Sequence, residues 1–217
     1  MNEDRKYQKR RSRLIESLRK KGISDERVLA AMERVPRHLF VDQALRNRAY
    51  HDEALPIGLK QTISQPFTVA YQTMMLSPQK DERILEIGTG SGYQAAILCE
   101  LGARVFTIER LRPLYERTHG LLRGLKYKAL CRCSDGIKGW EAVGPFNGII
   151  VTAGATIVPD DLLDQLCIPE GNVEGGRLVI PVGDRDSQRM TRIVRTGPSS
   201  YAREETEGFR FVPLIGS

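Results

Sequence analysis

The chain has no apolar run approaching the ~20 residues that a membrane-spanning helix requires. Its opening residues are polar rather than the apolar core of a secretory leader. The four cysteines, Cys99, Cys131, Cys133 and Cys167, contain no C-x-x-C pair, and His38, His51 and His119 are scattered. That pattern argues against a zinc site or a disulfide framework and for free thiols in a reducing compartment. Aromatics are sparse, and the single tryptophan, Trp140, is expected to pack under a loop. No internal repeat or low-complexity tract interrupts the 217 residues, a length that suits one substantial core. The expectation is a cytoplasmic protein with no metal and no membrane segment.

Charge is present, but in one place. Residues 1–22 hold nine Lys/Arg against three acids, so the entire surplus of +6 sits there and the body is neutral. A basic tail can touch nucleic acid or an anionic surface, but a solvated basic helix is the commoner explanation. No stable nucleic-acid partner is expected.

The first 80 residues show no strand–helix alternation. Leu14, Ile15 and Leu18 fall at helical spacing, and Ser24 is read as the cap of a candidate helix from Asp25 to Val35, which Pro36 ends. A short helix near 42–48, an irregular stretch over 51–61, and a helix opened by Ser64 and Pro66 follow. From residue 83 the pattern is regular. Strands are predicted at 83–87, 104–109, 128–133, 146–152 and 177–182, with helices to about Leu101, over 113–125 and over 159–166. Alternation at 190–194, a turn at Gly197-Pro198-Ser199 and an extended run over 203–214 read as a terminal hairpin. This is an α/β fold, a doubly wound and mostly parallel sheet with an antiparallel edge. It is expected as a single domain over 1–217, with a helical accessory region over 1–80 and the core over 81–217.

The organising stretch is RILEIGTGSGY, Arg83 to Tyr93. A strand runs into Gly88, Gly90 and Gly92 and then a helix, the ligand-binding corner of an open sheet. The dinucleotide spacing G-x-G-x-x-G is missed by one position. Glu86, two residues before the first glycine, would repel a pyrophosphate but suits a cationic ligand. S-adenosylmethionine carries a sulfonium and an α-ammonium, and acid-x-G-x-G-x-G resembles the first motif of Rossmann-like methyltransferases. Glu109 ends the second strand, where an acid serves ribose hydroxyls, and Asp135-Gly136 follows the third, where an adenine amine is commonly met. Singly, a surface acid and an ordinary turn explain them equally well. In series at successive strand ends they favour a cofactor site.

QTISQPFTVAYQTMML, LEIGTGSGYQAAIL, SDGIKGW, IIVTAG, GGRLVIPVG and FRFVPLIG occur in this order and resemble the protein-L-isoaspartate O-methyltransferases. The resemblance runs from about Val28 to the C-terminus. It implies methyl transfer from S-adenosyl-L-methionine, giving S-adenosyl-L-homocysteine, to the α-carboxylate of L-isoaspartyl residues in damaged proteins and peptides. The methyl ester then closes to a succinimide and returns in part to aspartate. Likewise by resemblance, Thr62 and Ile63 cover the cofactor and Ser64 is catalytic. Thr89 and Ser91 join the glycines in the cofactor turn, and Val212, Pro213 and Leu214 line the substrate groove of a monomer.

A carboxylate nucleophile and a sulfonium electrophile need no general base, so no poised histidine is required. What remains is alignment and exclusion of water. On the residues alone Ser64 reads first as a helix N-cap, and the resemblance turns that reading toward an orienting donor. Four positions depart from the family pattern: Phe67 for a polar aromatic, Asn147 for aspartate, Gly154 for alanine, and a longer link over 168–174. Rival readings are a methyltransferase for RNA or a small metabolite and a non-catalytic cofactor-binding module.

Overall fold

The computed structural model describes residues 2–171, 173–184, 187–209 and 211–214. Ile215 and Gly216 of the FRFVPLIG ending, Arg210 and Asn172 lie outside the described residues. The chain opens with α1 (Asn2–Lys20) and α2 (Glu26–Arg34). Then come β1 (Leu55–Gly58), β2 (Gln61–Ile63) and α3 (Pro66–Leu76). The alternating part runs β3 (Arg83–Ile87), α4 (Tyr93–Glu100), β4 (Arg104–Glu109), α5 (Arg112–Gly124) and β5 (Ala129–Cys133). It continues with β6 (Gly148–Val151), α6 (Asp160–Asp164), β7 (Arg177–Gly183), β8 (Gln188–Arg195) and β9 (Tyr201–Phe209).

Seven strands form one sheet in the order β5-β4-β3-β6-β7-β8-β9. Strands β3 to β7 pair in parallel, and β8 and β9 close the edge antiparallel. The chain winds outward from β3 through β4 to β5, then returns to the other side of β3 as β6. The crevice between β3 and β6 is therefore the switch point, where ligands of open α/β sheets bind beyond the strand C-termini. β3 and β6 are buried on both faces, which is why they read as continuous apolar runs.

α1 is not a solvated tail. Tyr7, Leu14, Ile15 and Leu18 are buried in the same apolar cluster as α2, α3, α4 and one face of the sheet. Most of the basic residues are exposed, while Arg11 is part-buried with its Nε enclosed. Arg10 donates to Asn47, while Arg19 pairs with Glu26 and Lys21 with Asp52.

Four details differ from the sequence reading. Asp25, not Ser24, caps α2, its carboxylate accepting from the Arg27 amide. Residues 43–48 form 3-10 turns rather than an α-helix. The stretch read as irregular carries the β1–β2 hairpin, whose strands pair Leu55 with Ile63 and Pro56 with Thr62. The extended run read as 203–214 splits, because β9 ends at Phe209 and Val212 to Leu214 leave the hairpin to pair beside β6.

The cap reading of Ser64 also fails. Gln65 is the N-cap of α3 with no side-chain bond, and Pro66 has no amide hydrogen to offer. The first free amide, Phe67 N, is taken at 2.8 Å by the carboxylate of Asp52, which also pairs with Lys21 at 2.5 Å. Asp52 thus fastens the start of α3 to the N-terminal helices. Replacing Asp52 by alanine should cost about 1–2 kcal/mol. By thermal denaturation that is a fall of roughly 2–8 °C, largely restored in Asp52→Asn, which keeps an acceptor.

Candidate active site

The glycine turn after β3 is held in its shape by backbone conformation and by neighbours. Gly88, Gly90 and Gly92 have φ of 93°, 52° and 86°, a region L-residues adopt only with strain. Glu109 clamps the turn from the end of β4, its carboxylate accepting from Gly90 N and Leu111 N, each at 2.9 Å. At 6 % exposure it is no surface acid. Thr152, from the end of β6, donates to the Gly88 carbonyl at 2.7 Å.

Above this turn lies an open cleft of about 920 Å³. Thr62, Ile63 and Ser64 wall it from β2 and its exit, and Glu86, Gly88, Thr89, Gly90 and Ser91 form its floor. Glu109 and Gly136 flank it on one side, and Val212, Pro213 and Leu214 close it from the C-terminal segment. Two of the sequence-predicted residues stand outside the lining. Gly92 is the N-cap of α4, buried against α5. Asp135 turns its carboxylate back to the Ile137 amide at 3.0 Å, the role of a turn residue, and only Gly136 reaches the cleft.

Glu86 is fully buried. Its Oε2 accepts from Thr107 Oγ1 at 2.6 Å, and Thr107 Oγ1 in turn accepts from Thr89 Oγ1 at 2.6 Å. Oε1 is buried with no partner. Burial, opposed by the Thr107 bond and reinforced by the Glu109 charge, pushes the carboxyl up to about 8. The sequence argument that a Glu86 anion repels phosphate needs correcting. With no cationic ligand beside it, the group is mostly neutral at pH 7 and becomes a carboxylate when a cation arrives.

Ser64 sits at the mouth, partly buried. Its hydroxyl makes no hydrogen bond with any described residue, while its carbonyl accepts from Arg37 Nη2 at 2.8 Å. Arg37, wholly buried, also donates to the Ala49 carbonyl at 2.9 Å and lies 4.7 Å over the Tyr93 ring. Sequence reading passed over Arg37 because arginine is seldom buried. It also passed over Gln72 and Gln94, which line the cleft from α3 and α4.

The substrate side is built by backbone pairing. Gly154 N donates to the Val212 carbonyl at 2.8 Å and Leu214 N to the Gly154 carbonyl at 2.7 Å. Gln188 Oε1 accepts from Phe211 N at 2.9 Å. A Cβ on Gly154 would come within 3.2 Å of the Gln188 side chain, so glycine here tightens the junction rather than loosening it. Asn147 accepts from Arg83 N at 3.0 Å at the opposite end of the sheet, a bond that needs no charge. Phe67 stacks on Tyr71, outside the lining, and Ile168 and Val173 are exposed in the surface link. Trp140 packs edge-on against Phe106.

A doubly wound sheet with an acid and three glycines at its switch point defines a Rossmann-like methyltransferase that takes S-adenosylmethionine. The unpartnered oxygen of Glu86 fits a ligand bearing a cationic donor. The family model for protein-L-isoaspartate(D-aspartate) O-methyltransferase matches residues 9–217, and the chain belongs to that family. A Salinibacter ruber protein-L-isoaspartate O-methyltransferase is 59% identical over 99% of this chain and 95% of its own. One from Christiangramia forsetii is 48% identical over 99% and 98%. A solved protein-L-isoaspartate O-methyltransferase superposes with a TM-score of 0.82 at 26% identity, covering 95% of this chain and 66% of the longer one. A Plasmodium falciparum protein solved with S-adenosyl-L-homocysteine shares the fold, with a TM-score of 0.78 at 22% identity over 93% and 96%. The chain is an S-adenosylmethionine-dependent methyltransferase acting on isoaspartyl residues.

Proposed function

We propose that the cleft aligns an isoaspartyl α-carboxylate with the methyl donor, with Ser64 as the orienting group. The observation that carries this is the Ser64 hydroxyl, unbonded at the cleft mouth while Arg37 and Asp52 fix the backbone on either side of it. When bound, S-adenosylmethionine supplies an electrophilic methyl group on sulfur. Everything else is positioning. Glu86 and the turn from Gly88 to Ser91 would hold the amino-acid end, and Glu109 and Gly136 the nucleoside. Glu109 keeps lone pairs for ribose hydroxyls beyond the two amides it already accepts. Thr62 and Ile63 would cover the donor. The segment Val212 to Leu214, with Pro213 exposed and unable to donate, would offer backbone to a peptide.

Ser64 would donate to one carboxylate oxygen of the substrate, leaving the other in line with the methyl group. Ester formation then neutralises the carboxylate, and the product is set for succinimide closure outside the enzyme. No proton has to be removed from the nucleophile, which agrees with the histidines lying outside the cleft lining.

We read residues 1–217 as one functional unit, since α1 to α4 share a core with the sheet. A monomer in the cytoplasm without a nucleic-acid partner accords with four free cysteines and with the ion pairs that engage the basic residues of the N-terminal region. No described helix is long and apolar enough to cross a membrane.

Methyl incorporation into an isoaspartyl peptide and its aspartyl twin tests the proposal. Label should enter only the first, and equal labelling of both would end it. Ser64→Ala should lower that rate roughly ten- to hundredfold. Its stability should stay within about 0.5 kcal/mol of the parent, since no described group loses a partner.

A further inference from the structure

α3 places Gln72 along the cleft, 1 % exposed and in its lining. Its Nε2 donates to the Val151 carbonyl at 2.9 Å. A carbonyl can only accept, so the amide nitrogen must be the atom held at Val151 and Oε1 is the atom left over. No described residue donates to Oε1. One end of the amide is anchored, and its oxygen is left to the cleft that the residue lines.

Glu86 lines the same cleft. Its Oε2 is bonded to Thr107 and its Oε1 is buried without a partner. The strands that carry Glu86 and the carbonyl anchoring Gln72 are adjacent. Ile87 lies opposite Val151, the residue whose carbonyl anchors Gln72, and Glu86 lies opposite Ile150. With Glu86 ionised, both unanswered atoms are acceptors. Among the described residues, the only lysine or arginine in the cleft lining is Arg110, which follows Glu109 at the end of β4. No described residue places a cation between the two oxygens.

Two acceptors in one cleft are complementary to a compact donor with several hydrogens. A hydroxyl has one hydrogen to give, and a carboxylate has none. An ammonium has three. We infer that Gln72 Oε1 and Glu86 Oε1 together receive the α-ammonium of the amino-acid end of the methyl donor, making Gln72 a binding residue for that end. The inference rests on the reading of this cleft as the donor site.

Calorimetric titration of the full chain with S-adenosylhomocysteine and with 5′-methylthioadenosine, which lacks the amino-acid end, tests it. Gln72→Met keeps the side-chain length and removes both polar atoms. It should weaken S-adenosylhomocysteine roughly ten- to hundredfold, the cost of a hydrogen bond to a charged group. Methylthioadenosine affinity should remain within about twofold, which also reports that the variant is folded. An equal loss for both ligands, or no loss for S-adenosylhomocysteine, overturns the inference. A second measurement needs no variant. On the parent protein, S-adenosylhomocysteine with its amino group replaced by hydrogen should bind at least tenfold more weakly, and equal affinity refutes the cradle. If the parent binds neither S-adenosylhomocysteine nor methylthioadenosine, the donor-site reading itself falls, and the inference with it.

Discussion

Gly92→Ala is expected to lower the melting temperature by roughly 5–15 °C and to abolish measurable binding of S-adenosylhomocysteine. Two costs act together. At φ 86° an alanine is held in the left-handed region, a strain of about 1–2 kcal/mol. Its Cβ would stand 2.8 Å from Thr118 Cγ2 and 3.2 Å from Leu122 Cγ, both on α5. Neither neighbour yields easily. Thr118 is held by its bond to the Gly90 carbonyl at 2.6 Å, and Leu122 is 1 % exposed. Overpacking of that kind costs about 1–3 kcal/mol, and for a chain of this size each kcal/mol is about 2–4 °C. Binding suffers separately, because relief of the clash pushes α5 away and Thr118 carries the Gly90 carbonyl with it. Differential scanning calorimetry with and without S-adenosylhomocysteine separates the two. A variant that melts low but is still stabilised by the ligand would show that the turn tolerates the shift.

That Gly92 matters by packing and not by touching the ligand marks the boundary of what sequence could tell. The corner itself was legible, because β3, β4, β6 and β7 are buried and read as apolar runs, and three alternating glycines after such a run have few other meanings. The β1–β2 hairpin was not, since Pro56 and Gly58 break the apolar alternation of Leu55, Ile57 and Ile63 and imitate a loop. Non-local partners left no trace. Asp52 reaches Phe67 N across 15 residues, and Gln72 reaches a backbone carbonyl 79 residues away, which any residue at 151 would have supplied. Nothing local in the sequence therefore marks Gln72. Ser64 stands out in the sequence, but its cap role could be set aside only when another side chain was seen to hold the helix start.

The affinity for S-adenosylhomocysteine should climb by close to tenfold per pH unit between about 6 and 8 and then level off. Glu86, wholly buried, holds its proton up to about 8 in the ligand-free protein, chiefly because burial disfavours the anion. An ammonium placed against it stabilises the carboxylate, so binding below pH 8 must expel close to one proton. The two cysteine thiols near it do not titrate in this window. Cys99 on α4 and Cys131 on β5 are themselves pushed up by burial, to about 12 and about 11. Thr107 and Gln72 carry no charge at all, and the Glu109 charge raises Glu86 further. Titrations at pH 7 in buffers of different ionisation heat should report that proton directly. In Glu86→Gln the released proton and the slope should both vanish, leaving a weak and pH-independent affinity. The same shift has a consequence for stability of the free protein, with the sign fixed by the direction of displacement. A folded pKa near 8 against an ordinary value of 4.5 means the parent loses stability as pH rises across that interval, because only the unfolded chain releases the proton. Glu86→Gln has no such proton to hold. Its melting temperature should therefore gain on the parent steadily from pH 5 to pH 8, and a constant difference would show that Glu86 is ionised in the folded protein throughout.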